Sequence, residues 1–237
     1  MRFVIAVLVF VALAISVAFL LSNSSTDSEK QGASVNKTLL LTGFEPFGGA
    51  ELNPSYEALK GLDGTRIDSW TVRTARLEVV WGRPLQQLRE QVELHEPHSV
   101  LSFGQGSRGS FKVEAVANNE RKKLPDNLRK LPFDPLIVPG GPPQYSYEKR
   151  AGYIAQELSG RGFTIRVSRN AGGYLCEECL YSARHLMARG EIEGEAMFFH
   201  VPPLGTFCGG RTVDVSYVQE FVKATAEVFV RSSQNSP

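Results

Sequence analysis

The sequence predicts an α/β domain with a largely parallel sheet. Short apolar stretches of strand length alternate along the chain with longer stretches whose apolar residues recur at helical spacing. This alternation is typical of strands that are connected by helices and pair in parallel. The chain has 237 residues, 42% of them hydrophobic, and no linker interrupts its middle, so we expect one domain with one sizeable core.

Each strand is predicted from a short apolar or alternating run. The first centres on Leu39-Leu40-Leu41, a continuous apolar run that suits a strand covered on both faces. The run that carries Glu114 alternates enough to be a strand as well. The predicted strands are residues 38–42, 67–72, 77–81, 99–103, 111–117, 163–167 and 196–201.

Each helix is predicted from apolar residues that share one face. In the second, Leu85, Leu88 and Val92 lie on one side, and a proline occupies the first turn, where it is well tolerated. Residues 118–147 are rich in proline, glycine and charge, which is typical of a long loop that is functional or mobile. The predicted helices are residues 55–60, 84–94, 147–158, 174–189 and 216–230.

An apolar run precedes the predicted domain. Residues 3–21 are apolar or small apart from Ser16, which is long enough to cross the hydrocarbon core of a membrane. This length favours an uncleaved transmembrane anchor over a cleaved signal peptide, and Arg2 predicts that the N-terminus stays inside. We expect a signal anchor or signal peptide at 1–21, a polar tether at 22–36 and the folded domain at 37–237.

The predicted location follows from that N-terminal segment. The domain is expected to be membrane-anchored outside the cytoplasm, or secreted or periplasmic if the segment is cleaved. The formal net charge is +1 with dispersed charges, so we expect no nucleic-acid partner. Three cysteines do not make a disulfide framework.

Cys176 is the first candidate for covalent chemistry. It follows Gly172 and Gly173, which permit a sharp turn, and it begins a predicted helix. Unpaired amides and the positive end of the helix dipole favour a thiolate there, and the thiolate is the nucleophilic form of cysteine. The alternative is an ordinary packing role, because free cysteine is among the most buried residue types.

His200 and Glu114 are candidates for the partner groups of Cys176. His200 lies near the end of a predicted strand, and sites in open α/β sheets form at the carboxyl ends of strands. A histidine there can act as the base of the cysteine, and Glu114 can orient the imidazole. The alternatives are a satisfied core histidine and an outward-facing glutamate.

A second function is compatible with the same stretch. Cys176 and Cys179 form a Cys-x-x-Cys sequence at a predicted helix start, which is also the arrangement of thioredoxin-like redox proteins. A bare Cys-x-x-Cys is a weak signal, and Cys179 is expected to face inward as a small apolar residue.

Seven motifs, taken together, resemble those of one known family. They run in order from the first predicted strand towards the last predicted helix, so the resemblance covers most of the predicted domain. The motifs are TGFEPFGG at 42–49 with NPS at 53–55, LEVVW at 77–81, GQG at 104–106, VEAVAN at 113–118, PDN at 125–127, AGGYLC at 171–176 and FHVP at 199–202. This set is similar to pyroglutamyl peptidase I, the pyrrolidone-carboxylate peptidases.

The resemblance implies a fold and an activity. It implies a three-layer α/β/α sandwich and a cysteine peptidase that removes an N-terminal pyroglutamyl residue from peptides without a metal or organic cofactor. The family's catalytic glutamate, cysteine and histidine match Glu114, Cys176 and His200. Members are often tetrameric, which leaves a homo-oligomer open for this chain.

The resemblance also implies a substrate pocket. The two phenylalanines that hold the pyrrolidone ring match Phe44 and Phe47, and Gly104 and Gln105 of the third motif are further candidate substrate-binding residues. Backbone amides from Gly173 to Cys176 are natural donors to an oxyanion, and Arg108 or Arg121 are candidates to assist them.

The chain departs from the family at several positions. Glu177 stands directly after Cys176, where the family often has asparagine, and negative charge beside a thiolate raises its pKa. Ala115 stands where the family prefers arginine, and the peptide-side segment at 145–150 differs. These departures support an alternative: a membrane-tethered relative, weak or inactive as an enzyme, that binds modified peptide ends.

Overall fold

The computed structural model describes residues 36–234, which form an α/β/α sandwich. The strands are β1 Lys37–Phe44, β2 Arg66–Ile67, β3 Trp70–Leu77, β4 Ser99–Gln105, β5 Phe111–Glu114, β6 Val116–Asn118, β7 Gln144–Ser146, β8 Ile165–Ser168, β9 Ala196–Val201, β10 Phe207–Cys208 and β11 Arg211–Thr212. The helices are α1 Pro54–Glu57, α2 Arg83–His95, α3 Glu148–Gly160, α4 Leu175–Ala188 and α5 Val215–Gln234.

The N-terminal predictions fall outside this part of the chain. The anchor at 1–21 and nearly all of the tether at 22–36 precede the described residues. Within residues 36–234, none of the helices combines the length and the apolar character that are needed to cross a membrane.

The main sheet has seven strands in the order β2-β3-β1-β4-β9-β5-β8. Strands β3, β1, β4 and β9 pair in parallel, as the alternation of strands and helices predicts. The short β2 is antiparallel to β3 at one edge. Two small antiparallel sheets, β6 with β7 and β10 with β11, lie outside the main sheet.

Strands β5 and β8 run against the other central strands. They are parallel to each other, and β5 is antiparallel to β9. The carboxyl ends of β8 and β9 therefore point in opposite directions along the sheet. His200 lies near the carboxyl end of β9, as the sequence predicts, but Cys176 comes after β8, so residues 169–174 must carry the chain back towards β4 and β9.

The two faces of the sheet are covered by different helices. Helices α2 and α4 and the β6–β7 pair pack on one face, and α1, α3 and α5 pack on the other. The fully apolar first strand serves both faces: Leu39 and Leu41 belong to one core layer, and Leu40 belongs to the other. Both layers are buried, as predicted for a strand that is covered on both sides.

Two of the predicted strands end earlier than the sequence indicates. The strand predicted at 77–81 is wrong beyond Leu77, because side chains take the place of a neighbouring strand. Glu45 accepts the amide of Val79 at 2.9 Å, and Asp126 accepts that of Trp81 at 3.2 Å. The strand predicted at 111–117 divides at Ala115, after which the chain leaves the main sheet to form β6.

Gly43 in β1 allows α1 to lie directly against the sheet. A Cβ atom at this position would lie 2.6 Å from the backbone oxygen of Ser55, which belongs to α1 and cannot swing away. Only glycine fits such a close approach of two backbones.

We expect Gly43→Ala to lower the free energy of unfolding by about 1 to 3 kcal/mol, because it forces β1 and α1 apart. The matched control is Gly152→Ala in α3, where a Cβ atom meets nothing within 4 Å. That substitution is expected to raise stability by up to about 1 kcal/mol through helix propensity. Urea unfolding of both variants checks this, and equal effects would contradict the close approach at Gly43.

Candidate active site

His200 and Glu114 meet across the antiparallel pair β5–β9. Lys112 lies opposite His200, so Glu114, two residues further along β5, lies on the same face of the sheet. Its Oε1 atom is 2.7 Å from Nδ1 of His200. Glu114 is fully buried and His200 is nearly so. A carboxylate oxygen at this distance accepts a hydrogen bond from Nδ1–H, which leaves Nε2 of the imidazole available to accept a proton.

Cys176 is the second residue of α4 and lies in its first turn. The turn before it depends on Gly172 and Gly173, whose φ angles of 101° and 69° lie in the left-handed region that favours glycine. The Sγ atom lies against β4, because a Cβ atom on Gly104 would be only 2.8 Å from it. Glycine at 104 therefore leaves the space that the thiol occupies.

Cys176 and His200 line the same cavity, which has a volume of about 160 Å³. Three predicted substrate-binding residues, Phe44, Phe47 and Gln105, line it as well. This volume is below the roughly 300 to 1,000 Å³ of pockets for drug-sized ligands, so the cavity suits a small ring. The structure thus brings together most of the site residues that the sequence predicts.

Burial changes the expected pKa of the Cys176 thiol. Desolvation raises the pKa of the Cys176 thiol above its ordinary value, and Cys179, Glu114 and Glu177 raise it further, while its own backbone amide opposes them. Burial therefore opposes the effect of the helix start, which the sequence predicts to favour a thiolate. A thiol whose pKa is raised needs a base to become nucleophilic.

Comparison with known proteins identifies the family of this chain. A family model described as pyroglutamyl peptidase matches residues 37–225. The pyrrolidone-carboxylate peptidase of Gloeobacter violaceus is 32% identical over 203 residues, which cover 83% of this chain and 98% of the relative. The corresponding enzyme of Chromobacterium violaceum is 38% identical over 168 residues, covering 70% of this chain and 78% of the relative. The chain belongs to the pyroglutamyl peptidase family.

Solved structures agree with this assignment. The crystal structure of pyroglutamyl peptidase I from Bacillus amyloliquefaciens has a TM-score of 0.74 and 28% identity, and the match covers 81% of this chain and 94% of that one. A mutant pyrrolidone carboxyl peptidase from Pyrococcus furiosus has a TM-score of 0.75 and 30% identity, covering 82% and 99%. This chain is a cysteine peptidase of the family, and the match spans 98% of the Gloeobacter violaceus relative and 99% of the Pyrococcus furiosus structure.

Glu177, where the family often has asparagine, is fully buried. Its Oε1 accepts the amide of Asn118 at 2.7 Å, and its Oε2 accepts the amide of Gly173 at 3.3 Å. Desolvation raises the pKa of this carboxyl, and the two amides act against that rise. The Gly173 amide, predicted as an oxyanion donor, is therefore already occupied. The Cys176 amide lies in the first turn, where helices leave amides without intrahelical acceptors.

Glu178 has a structural role that the sequence did not indicate. It is fully buried and receives two hydrogen bonds from Arg121, at 2.8 and 3.0 Å. Arg121 also donates to the carbonyl of Leu136 at 2.6 Å, so it holds the long loop in place and is not free to assist an oxyanion. Arg108 is exposed and lines a different cavity with Phe207.

Cys179 faces the core layer under α4. It is fully buried, and its Sγ donates to Oγ of Ser102 at 3.5 Å. Burial raises its pKa to about 12, and hydrogen bonds with hydroxyl groups oppose that rise. Both Cys176 and Cys179 are free thiols in the structure. This orientation matches the prediction of an inward-facing apolar residue.

Asn53 and Tyr174 line the cavity but were not singled out as site residues from the sequence. Asn53 accepts the amide of Ser55 at 3.1 Å and so caps α1, which its position before a proline could have indicated. The hydroxyl of Tyr174 donates to the carbonyl of Pro125 at 2.9 Å, which joins the cavity wall to the long loop. No local sequence signal reveals that contact.

Arg184 is a further residue that sequence analysis missed. It is fully buried on α4, two turns after Cys176, and its guanidinium donates to the backbone carbonyls of Glu114 and Ala115, each at 3.1 Å. The guanidinium also stacks 4.1 Å from the ring of Tyr147. Burial lowers its pKa to about 10, so it remains charged at neutral pH. Arg184 therefore holds the end of β5 against the helix that carries Cys176.

We expect Arg184→Ala to lower the free energy of unfolding by about 3 kcal/mol or more, because two buried carbonyls each lose a hydrogen bond and the removed side chain leaves a cavity. Arg189→Ala, at the exposed end of the same helix, should change it by no more than about 0.5 kcal/mol. Urea unfolding of both variants compares the two positions. Equal stabilities would contradict the positioning of β5 by Arg184.

Proposed function

We propose that this chain hydrolyses the bond after an N-terminal pyroglutamyl residue of peptides, with Cys176 as nucleophile, His200 as base and acid, and Glu114 as the group that orients the imidazole. The observation that carries this proposal is the buried 2.7 Å hydrogen bond between Glu114 and His200, beside the cavity that His200 and Cys176 both line. Membership of the pyroglutamyl peptidase family supports the substrate class.

The first step forms a thioester. Nε2 of His200 takes the thiol proton as Sγ of Cys176 attacks the pyroglutamyl carbonyl carbon, and the imidazolium that results is stabilised by Glu114. The raised pKa of the Cys176 thiol couples this proton transfer to the attack. His200 then gives the proton to the leaving amine as the carbon–nitrogen bond breaks.

The second step releases the acid. A water molecule gives a proton to His200 and attacks the thioester carbonyl, and the carbon–sulfur bond breaks with return of the proton to Cys176. The negative oxygen that forms in both steps needs a donor, and the backbone amide of Cys176 in the first turn of α4 is the one that the local geometry favours.

The cavity explains why a lactam ring suits this site. Phe44 and Phe47 present aromatic surface, and Val79 and Ala171 add apolar wall. A pyrrolidone ring is uncharged and partly apolar, so apolar walls with a few polar groups such as Gln105 hold it better than a charged pocket does. A free, charged N-terminal amine would lose its hydration here without gaining a partner.

The location of the enzyme is a separate proposal that rests on sequence alone. The apolar run at 3–21 would anchor the chain, the polar residues 22–36 would serve as a tether, and the peptidase domain would lie outside the cytoplasm. Alkaline extraction of membranes distinguishes an anchored chain from a cleaved one.

We expect Cys176→Ala to abolish release of a fluorophore from a pyroglutamyl amide, because the thioester cannot form. Glu114→Gln should lower kcat by roughly a thousandfold or more, because the imidazolium loses its carboxylate. Cys208→Ala, which removes a buried thiol from the opposite core layer, is the matched control and should retain turnover. The assay is run with and without a reductant, since a Cys176–Cys179 disulfide would mask the nucleophile.

Each result of this assay has a definite meaning. Turnover that persists in Cys176→Ala would overturn the assignment of the nucleophile. A folded wild-type domain that binds a pyroglutamyl peptide without consuming it, in reductant as well, would favour the binding-protein alternative.

We expect Glu177→Gln to shift alkylation of Cys176 by iodoacetamide to lower pH. Glu177 is one of the groups that raise the pKa of the thiol, so removing its charge lowers that pKa and increases the thiolate fraction at a given pH. The exposed Glu157→Gln on α3 is the control and should leave the profile unchanged. The measurement is the alkylation rate of Cys176 against pH by mass spectrometry, and an unchanged midpoint in Glu177→Gln would contradict it.

A further inference from the structure

The long loop between β6 and β7 exposes an unusual amount of apolar surface. Ten large apolar side chains are exposed among residues 36–234, and five of them belong to this loop. We call these five the loop patch. Their exposures are 44% for Leu124, 57% for Leu128, 59% for Leu131, 104% for Phe133 and 42% for Leu136. An apolar concentration of this kind marks an interaction surface more often than scattered exposed residues do.

Hydrogen bonds attach the loop backbone to the domain although the side chains of the loop patch face solvent. Asp126 is buried, and its Oδ1 accepts the amides of Leu128 and Lys130, each at 2.9 Å, while its Oδ2 accepts that of Trp81. Arg121 fixes the carbonyl of Leu136 and the buried Glu178. These polar contacts hold the loop backbone against the domain. The apolar side chains of the loop patch therefore stay on the solvent side.

The charged groups around the loop patch are mostly cations. Lys122, Lys123, Arg129 and Lys130 are exposed, and within the described residues none of them forms an ion pair. The acidic residues nearby contribute less charge to the surface, since Asp126 is buried and Asp134 is half-buried and bound to the amide of Leu136. Glu120 is the exposed acid at the start of the loop.

We propose that the loop patch docks on an anionic lipid surface. Exposed leucine and phenylalanine side chains beside lysine and arginine are the combination that binds membrane interfaces, because the apolar groups enter the headgroup region and the cations meet the lipid charges. A second copy of the chain is a poorer partner, because a two-fold contact through this loop would oppose four cations to four like charges.

The sequence before the domain agrees with this partner. Residues 22–36 amount to 15 residues after the predicted anchor, and a flexible chain of that length spans roughly 20 Å on average. A domain so tethered would stay within reach of the bilayer, where weak contacts become effective. The docking proposal itself does not depend on peptidase activity.

The test uses the domain from Asn36 to Pro237, which forms one compact unit. Its sedimentation is measured with vesicles of phosphatidylcholine alone and with vesicles containing equal amounts of phosphatidylcholine and phosphatidylserine. We expect binding to the anionic vesicles that weakens as salt is added. Each cation replaced by glutamine in Lys123→Gln and Lys130→Gln should lower the affinity roughly fivefold. Leu131→Ser with Phe133→Ser should lower it by roughly tenfold or more.

Matched controls use the same changes elsewhere on the surface. Leu94→Ser with Phe207→Ser removes apolar groups of 68% and 69% exposure, and Lys149→Gln removes an exposed cation. These variants should bind like the wild type, and all variants should keep the wild-type unfolding midpoint and the same turnover of a soluble pyroglutamyl amide. That turnover separates a failure of docking from a failure of the proposed activity.

Three results would overturn the proposal. One is the absence of binding to phosphatidylserine vesicles, and another is equal loss of binding in the loop and control variants. The third is a wild type that does not bind vesicles but forms a stable oligomer in sedimentation velocity, together with loop variants that are monomeric. The loop patch would then be a subunit interface.

Discussion

The buried hydrogen bond between Glu114 and His200 is the contact on which the site depends. It exists because β5 runs antiparallel to β9, which places the two side chains on one face of the sheet. Because β8 runs in the same direction as β5, the chain that leaves β8 must turn back before α4 begins. Gly172 and Gly173, both with left-handed φ angles, make that turn and place Cys176 in the first turn of α4. Arg184 then closes the arrangement, since it ties the carbonyl groups at the end of β5 to α4.

Two buried carboxylates stabilise the start of α4 around Cys176. Glu177 caps the amides of Asn118 and Gly173, and Glu178 pairs with Arg121 and thereby with the long loop. Both residues therefore connect the start of α4 to segments distant in sequence. This benefit has an electrostatic cost, because Glu177 also raises the pKa of the thiol beside it. A neutral asparagine at this position would reduce that cost, so the chain combines a firm loop attachment with a less acidic thiol.

The sequence predicted the elements whose signals are local. The apolar run at β1, the apolar face of α2 and the limits of β9 were recovered closely, and the motifs pointed to Cys176, His200 and Phe44 before any geometry was known. The reversal of β5 and the division at Ala115 could not be predicted, because alternation in a strand does not reveal the direction of its partner. Arg184 was missed for a related reason: its partners are carbonyl groups about 70 residues away.

The state of Cys176 shows how burial and helix position compete. A helix start favours a thiolate, whereas desolvation and nearby carboxylates raise the pKa of this thiol. In the proposed mechanism charge develops during the attack, when the Glu114 carboxylate can stabilise the imidazolium and the first-turn amide can stabilise the oxyanion. The apolar lining of the cavity solvates an unpaired charge poorly, which is consistent with the proposed transfer of the thiol proton to His200 during the attack.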